Sequence, residues 1–271
     1  MQYFHIDGAN LEYRIQGSGE SLVLIHGSIL AAAFSPLLSE PSIANKYRVI
    51  TYHRRGFAAS SRATPGLTIR QQAADCHALI RHLQIPQAHV AGHSYGGAIA
   101  LQWALDAPQD VHSLALLEPA LVNSVPSSPL FWDWVASVRQ NTYEHGDKMG
   151  AVDAFLSGLV GANYHAILNE HLPPGTFDLA VADVDTFFEV EAPALREWRF
   201  EPEDARSIKQ PSLSVLGSDS APIFHEVHQF LKKWMPQADE LTVPNATHGL
   251  QYMNPNGVAE DLARFLERHP F

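Results

Sequence analysis

The apolar positions of the chain fall into short continuous runs separated by amphipathic stretches of helical period. Residues 8–10 (Gly-Ala-Asn) predict a hairpin turn between the first two runs. Short apolar runs that alternate with helices are typical of a parallel sheet covered on both faces. The sequence therefore predicts an α/β fold on a mostly parallel sheet of eight strands. The predicted strands are residues 1–7, 11–17, 21–27, 47–56, 88–94, 111–119, 211–218 and 239–245.

The pattern changes between residues 120 and 205, where no buried strand is evident and aromatic helical segments follow one another. Because this stretch lacks a sheet of its own, we interpret it as a helical cap inserted after strand six. The core then consists of residues 1–119 and 206–271. We expect the aromatic side chains to cover an apolar pocket, or else to form the cap's own core. The predicted pocket residues are Ile29, Trp132, Trp134, Phe187 and Phe188.

Composition excludes several classes of protein. The net charge of −11 argues against nucleic acid or an anionic membrane as a partner. No apolar run is long enough to span a membrane and the N-terminus lacks a signal-peptide pattern, so we expect a cytoplasmic protein. The single cysteine, Cys76, excludes an internal disulfide. Among the 15 histidines, His225 and His228 are spaced on one helix face without a third ligand, so we predict no metal and no cofactor.

The strongest chemical signal is Gly92-His93-Ser94-Tyr95-Gly96, a G-x-S-x-G pattern. It lies between a predicted strand and a helix rich in small residues, the context in which this pattern forms a strained turn that exposes the serine. Glycines at the flanking positions avoid collisions between a β-carbon and the neighbouring backbone. The sequence thus predicts Ser94 as a nucleophile, against the alternative of an ordinary helix N-cap.

His248 is the predicted general base. A serine hydroxyl is a weak nucleophile until a base removes its proton. His248 follows the last predicted strand, which brings it to the same edge of the sheet as Ser94. His93 is adjacent to Ser94 and cannot fold back onto it, and His26, which precedes a glycine after strand three, fits less well. The alternative for His248 is a histidine on a surface loop.

Two backbone amides are predicted to bind the oxyanion of a tetrahedral intermediate. The first belongs to Tyr95, directly after the nucleophile. The second comes from the loop after strand three, where Gly27 lets the backbone approach the site. Ser28 is the favoured donor of this loop and Ile29 the alternative.

Taken together, these motifs resemble the α/β-hydrolase superfamily along essentially the whole chain. The matching stretches are residues 26–28 (HGS), 52–61 (YHRRGFAASS), 92–97 (GHSYGG) and 247–255 (THGLQYMNP), with the cap-like insertion. The resemblance implies the fold and a hydrolase-type site, and it leaves the substrate open. Similar members usually read Asp-x-Arg-Gly after strand four, where this chain has His53. Epoxide hydrolases and haloalkane dehalogenases of this fold attack with an aspartate, so a serine at the elbow implies acyl chemistry or carbon–carbon cleavage beside a ketone.

The triad acid is open between Glu118 and Asp219. The resemblance places the acid three residues after a glycine behind strand seven, and three residues after Gly217 stands Ser220. Asp219 comes one position early, and a shift of one residue in an extended segment reverses the side-chain direction. Glu118 ends the apolar run of strand six, where a buried carboxylate needs a donor such as an imidazole. A subset related to haloalkane dehalogenases carries its acid there. We favour Glu118, with Asp219 as the alternative acid or as an N-cap of the following helix.

These features predict a serine hydrolase of carboxylesterase type, acting on a small to medium hydrophobic ester, lactone or thioester through an acyl-enzyme. Alternatives are a carbon–carbon bond hydrolase and a proline-iminopeptidase-like amide hydrolase, in which Glu189 and Glu191 of the cap would bind a free amine. A ligand-binding receptor or sensor that keeps the same site is an alternative of another class. The expected partner is a small-molecule substrate, and the sequence does not indicate an oligomeric state.

Overall fold

The computed structural model describes residues 1–271, which form eight strands joined into one sheet. The strands are β1 (Gln2–Ile6), β2 (Ala9–Gln16), β3 (Glu20–Ile25), β4 (Tyr47–Tyr52), β5 (Ala88–His93), β6 (Val111–Leu117), β7 (Ser212–Gly217) and β8 (Asp239–Val243). Their spatial order is β1-β2-β4-β3-β5-β6-β7-β8. β1, β2 and β4 pair antiparallel, and all the other neighbours pair parallel. The predicted mostly parallel sheet of eight strands is confirmed.

Twelve α-helices connect and cover the strands. They are α1 (Pro41–Ala44), α2 (Ile69–His82), α3 (Tyr95–Asp106), α4 (Ser128–Asn141), α5 (Lys148–Val160), α6 (Tyr164–His171), α7 (Thr176–Asp185), α8 (Ala192–Glu197), α9 (Pro202–Ser207), α10 (Pro222–Trp234), α11 (Leu250–Met253) and α12 (Pro255–Glu267). None of them is both long enough and apolar enough to cross a membrane.

Each face of the sheet is covered because successive side chains of a strand point to opposite sides. In β3, Val23 and Ile25 pack into the larger hydrophobic cluster, which includes α3 and α10. Leu22 and Leu24 point the other way, into a second cluster that includes α12. The sheet is therefore a buried middle layer, as the apolar character of its strands predicts.

Local signals explain two of the connections. Thr68 caps α2, since its hydroxyl accepts from the Gln71 amide and the Gln71 side chain accepts from the Thr68 amide. The first hairpin turns at Asp7 and Gly8, which both have positive φ and match the two-residue turn favoured by Asp-Gly. The turn was predicted one residue later; Ala9 and Asn10 already pair with β1.

Between β6 and β7 the chain forms α4 to α9 and a π-helical turn at Thr186–Glu191, with no strand. Buried side chains of this stretch, such as Phe155 and Phe188, belong to the same hydrophobic cluster as Ile25 of the sheet. The stretch therefore does not depend on a separate core. Its division from the rest at residues 120 and 205 stays a prediction, and the second boundary falls inside α9.

Candidate active site

Four neighbouring strands end at one edge of the sheet and carry the predicted chemistry. Ser94 follows β5, Glu118 follows β6, Ser220 lies shortly after β7, and His248 lies beyond β8. β5, β6, β7 and β8 are consecutive in the sheet and parallel. Because the carboxyl ends of parallel strands meet at one edge, residues far apart in sequence converge there.

The turn at Ser94 is strained and tightly packed. Ser94 has φ of 52° and ψ of −119°, a conformation that residues other than glycine rarely adopt. A β-carbon at Gly92 would lie 2.4 Å from the Gly96 carbonyl oxygen, and one at Gly96 would lie 2.1 Å from that of Ile25. The amide of Ser94 donates to the Leu117 carbonyl at 3.0 Å, which holds the turn against β6. Backbone strain of this kind concentrates at functional sites.

Glu118 is buried and contacts His248. Its Oε2 lies 2.7 Å from His248 Nδ1, and its Oε1 accepts from the Gly217 amide at 2.7 Å and from the Ser220 hydroxyl at 2.5 Å. These three donors offset the cost of burying the carboxylate. Glu118 has φ of 43°, so it is strained like Ser94.

Asp219 lies outside this network. It is exposed, and its carboxylate accepts from the neighbouring Ser218 hydroxyl at 2.8 Å. Its proposed capping role is corrected too, because the N-cap position of α10 is Ala221 and no side chain bonds there. The structure thus places Glu118, and not Asp219, against His248. Sequence reasoning noticed the spacing of Ser220 but missed that its hydroxyl would donate to Glu118.

His248 is held in place from several sides. The ring of Phe224 stacks on its imidazole, with centroids 4.0 Å apart and planes 15° apart. The His93 ring nitrogen Nε2 lies 2.8 Å from the His248 carbonyl oxygen. With Nδ1 bound to Glu118, Nε2 of His248 is the nitrogen free to act on Ser94. Both residues line one cavity, although no direct hydrogen bond joins them here; such contacts often tighten only when substrate binds.

The two predicted oxyanion donors, Tyr95 and Ser28, and the alternative donor Ile29 lie in different surroundings. Tyr95 begins α3, so its amide is one of the four without an acceptor inside the helix. Ser28 lines the cavity with Ser94, and its amide donates to no protein acceptor. Ile29 is buried with φ of 65°, and the Leu30 amide donates across it to the Ser28 carbonyl at 2.7 Å. A β-branched residue at positive φ is rare, so this loop is strained as well.

The cavity beside Ser94 is small and apolar, about 30 Å³ in volume. None of the five predicted pocket residues lines it, which corrects that prediction. Aromatic content alone cannot separate pocket lining from helix packing, and most of these side chains pack within the inserted helices. Trp134 borders a second cavity, Trp132 and Phe188 border a third, and Phe187 packs between Phe155 and Phe188, while Ile29 is buried in the core. The apolar lining comes from Leu30, Ala33, Phe155, Leu156, Leu159, Val160 and Tyr252.

Two histidines next to the site are held neutral. Burial, reinforced by the Arg54 guanidinium, keeps the pKa of His26 well below its ordinary value. Burial, reinforced by His248, does the same to the pKa of His93. Since His93 Nε2 faces a carbonyl oxygen, it carries the proton and donates. Both imidazoles therefore act as fixed hydrogen-bonding groups and leave His248 as the group suited to proton transfer.

His53, which stands where similar members have an acid after strand four, pairs with a carboxylate of the neighbouring strand. Its Nδ1 lies 2.7 Å from Glu12 Oε2 on β2. Among the remaining histidines, His228 bonds to the Ser214 hydroxyl at 2.9 Å. No group of three or more His, Cys, Asp or Glu side chains is arranged to hold a metal ion.

Comparison with known proteins identifies relatives that are similar in sequence. Residues 20–150 match a family model described as alpha/beta hydrolase fold. A dihydrolipoyllysine-residue acetyltransferase component of an acetoin cleaving system from Pseudomonas putida is 28% identical over 253 residues, covering 93% of this chain and 64% of that relative. The chain thus spans less than two thirds of that relative's length.

Solved structures are similar over nearly the whole chain. The enol-lactonase from Burkholderia xenovorans LB400 has a TM-score of 0.82 at 20% identity, covering 98% of this chain and 100% of its own. A thermophilic esterase from Thermogutta terrifontis has a TM-score of 0.80 at 19% identity, with both chains fully covered. At these identities the similarity concerns the fold.

Proposed function

We propose that the chain is a serine hydrolase of carboxylesterase type built on the α/β-hydrolase fold. The observation that carries the proposal is the buried Glu118–His248 contact of 2.7 Å beside the strained Ser94 turn. A carboxylate on Nδ1 fixes the imidazole tautomer and leaves Nε2 as the base. The same three groups in this order are what acyl transfer requires.

The proposed reaction proceeds in two halves. His248 Nε2 takes the proton of Ser94 while Oγ attacks the substrate carbonyl, and the Glu118 carboxylate stabilises the imidazolium. The amides of Tyr95 and Ser28 donate to the oxygen that becomes negative. The imidazolium then protonates the leaving alcohol, and an acyl-enzyme remains. Water, deprotonated by His248, attacks this ester and releases the acid and free Ser94.

The cavity supports a neutral substrate with a short acyl group. No lysine, arginine, aspartate or glutamate lines it, so it offers no partner for a charged substrate. Its volume of about 30 Å³ fits a short acyl chain better than a long one. A second, mostly apolar cavity of about 270 Å³ lies on the other side of Leu159, which borders both. We therefore propose esters, lactones or thioesters of small to medium size.

The iminopeptidase alternative lacks support from its two proposed acids. Glu189 is exposed and pairs with Arg139 at 3.2 Å. Glu191 is fully buried and pairs with Arg54. Neither lines the cavity, so neither is placed to bind the amine of a substrate.

The test compares wild type with Ser94→Ala on p-nitrophenyl acetate, butyrate and octanoate, with the exposed Ser137→Ala as a matched control. We expect hydrolysis by wild type and control, and a loss of about 10³-fold or more in Ser94→Ala. A fluorophosphonate probe should label wild type and control only. Equal inertness of wild type and Ser94→Ala, with no labelling of folded protein, would favour the receptor or sensor alternative.

A further inference from the structure

A fully buried arginine, Arg54, contacts the loop at residues 26–30 that follows β3 and carries Ser28, which we call the oxyanion loop. Arg54 is 1% exposed, and its side chain donates hydrogen bonds to four acceptors. Its Nη1 bonds to Gln72 Oε1 at 2.8 Å and to Glu191. Its Nε donates to the His26 carbonyl at 3.2 Å and its Nη2 to the Gly27 carbonyl at 2.8 Å. Half of its acceptors are thus backbone carbonyls of the oxyanion loop.

The bond to the Gly27 carbonyl determines where the next amide points. In a trans peptide the C=O and the following N–H point in opposite directions, and the chain has no cis peptide bond. The Gly27 carbonyl points toward Arg54, so the Ser28 amide points away from it. The Ser28 amide donates to no protein acceptor, and Ser28 lines the same cavity as Ser94.

His26 supports the same carbonyl. The Arg54 amide donates to His26 Nε2 at 3.1 Å, so this nitrogen accepts and Nδ1 carries the proton. His26 Nδ1 then donates to the Gly27 carbonyl at 2.8 Å. The lowered pKa of His26, caused first by burial and then by Arg54, keeps the ring in this neutral form. Two donors therefore fix the Gly27–Ser28 peptide plane.

Arg54 also contacts the residue that carries the other oxyanion amide. Its guanidinium carbon lies 4.9 Å from the centre of the Tyr95 ring. The Tyr95 hydroxyl accepts from Gln72 Nε2 at 2.9 Å, and Gln72 is bonded to Arg54. Arg54 thus contacts the residue before Ser28 as well as the ring of Tyr95, and Ser28 and Tyr95 are the two residues proposed to supply the oxyanion amides.

The charge of Arg54 is balanced from the inserted helices. Glu191 is 0% exposed and ends the π-helical turn at Thr186–Glu191. Only one of its carboxylate oxygens has a partner; Oε2 is buried without one. An apolar pair of similar volume in place of a buried ion pair is often neutral or stabilising, so stability alone does not account for this pair.

We propose that Arg54, held by Glu191, is a positioning residue that orients the Ser28 amide into the oxyanion hole. This inference rests on the proposed hydrolase function, because it assigns a catalytic purpose to that amide. The inserted helices then contribute to catalysis through the Glu191–Arg54 pair, in addition to covering the site. Neither residue touches the reacting atoms.

The informative variant is the double substitution Arg54→Met with Glu191→Met. A single substitution would leave one buried charge without its partner and destabilise the fold, whereas an apolar pair of similar volume is often tolerated. Loss of one oxyanion donor costs about 10²–10³-fold in kcat, and a misaligned donor less. We therefore expect kcat/KM for p-nitrophenyl acetate to fall about 10–100-fold.

The inhibition constant of a compound that forms a tetrahedral adduct with Ser94 distinguishes a misplaced oxyanion donor from a general loss of stability. Butylboronic acid adds to Ser94 Oγ and places a boron-bound oxygen where the oxyanion forms, so its inhibition constant should rise by the same factor as kcat/KM falls. The matched control is Arg55→Met with Asp75→Met, which removes a neighbouring ion pair of 2.7 Å that does not touch the oxyanion loop. We expect wild-type kinetics and inhibition in the control.

Hydrogen–deuterium exchange tests the positioning without any turnover. In the double variant of Arg54 and Glu191, the segment 24–34 should exchange faster than in wild type and in the control. If wild type hydrolyses no ester, the proposed function fails, and this exchange comparison still decides whether Arg54 orders the loop. Unchanged exchange with unchanged kinetics in the double variant, or equal losses in the control, would overturn the inference.

Discussion

Replacing Glu118 by glutamine changes the hydrogen bonding of the site without changing its shape. Glu118 now accepts three hydrogen bonds, from the Gly217 amide, the Ser220 hydroxyl and His248 Nδ1. Glutamine has one acceptor oxygen and one donor group. The Gly217 amide can only donate, so the glutamine oxygen turns toward it and the NH₂ group faces His248.

The magnitude follows from the tautomer that this arrangement imposes. With an NH₂ group opposite Nδ1, the imidazole of His248 must accept there and carry its proton on Nε2. That nitrogen then cannot take the proton of Ser94. In other serine hydrolases with this constellation, the same isosteric change lowers kcat about 10⁴-fold, equivalent to about 5.4 kcal/mol of transition-state stabilisation. We expect a loss of this order in Glu118→Gln.

The assay is the steady-state hydrolysis of p-nitrophenyl butyrate, with melting temperatures measured in parallel to verify folding. Asp219→Asn is the matched control, because Asp219 is exposed and its carboxylate accepts a hydrogen bond from Ser218 alone. Its activity should stay within about two-fold of wild type. A folded Glu118→Gln variant that retains more than a tenth of the activity, or a larger loss in Asp219→Asn, would refute the reasoning.

Three further changes test other parts of the structure. Ser220→Ala removes a buried hydrogen bond of 2.5 Å to Glu118, and it should lower the free energy of unfolding by about 1.5–3 kcal/mol in urea titrations and reduce kcat, without approaching the loss in Glu118→Gln. Leu159→Ala should join the site cavity to the larger one, because Leu159 borders both. The ratio of kcat/KM for p-nitrophenyl octanoate to that for the acetate should then rise about ten-fold. An unchanged ratio would show that the larger cavity does not take part in substrate binding. The lowered pKa values of His26 and His93 mean that the unfolded chain binds protons first below pH 6.5, so their stabilisation is present above that pH and is lost as the pH falls. The free energy of unfolding measured by urea titration should drop by about 1.4 kcal/mol per pH unit for each neutral imidazole, and a flat profile down to about pH 5 would contradict this.

The sheet was predictable because burial on both faces leaves a simple mark on the sequence. β3 reads as a near-continuous apolar run, and the strands β5 and β7 are fully buried although each contains two polar residues. The first turn was misplaced by one residue because Gly8 and Asn10 are both turn-forming residue types, whereas Asp7-Gly8 is the pair that forms the turn and Asn10 already pairs with β1. The nucleophile turn was predictable for the same local reason, since its glycines are required by contacts only 2–3 Å away.

The pocket was not predictable, because its lining depends on which face of each inserted helix meets the sheet edge. α5 covers Ser94 with Phe155, Leu156 and Leu159, whereas the more conspicuous Trp132 and Trp134 of α4 face other cavities. A helix with apolar residues all round gives no periodic signal of its orientation. The pairing of Arg54 with Glu191 was equally hidden, because 137 residues separate them and nothing local marks either as buried.

The acid at the end of β6 and the serine after β7 form one connected arrangement. β6 and β7 are parallel neighbours, and Glu118 donates its amide to Val215 of β7 at 3.0 Å, so the two strand ends are held side by side. From this position the Glu118 carboxylate reaches His248 with its backbone at positive φ. A second carboxylate at position 220 would then face the first at close range, and one of the two would have to bind a proton. Ser220 supplies a donor there instead, so the hydroxyl at the usual acid position stabilises the acid that has moved to the neighbouring strand.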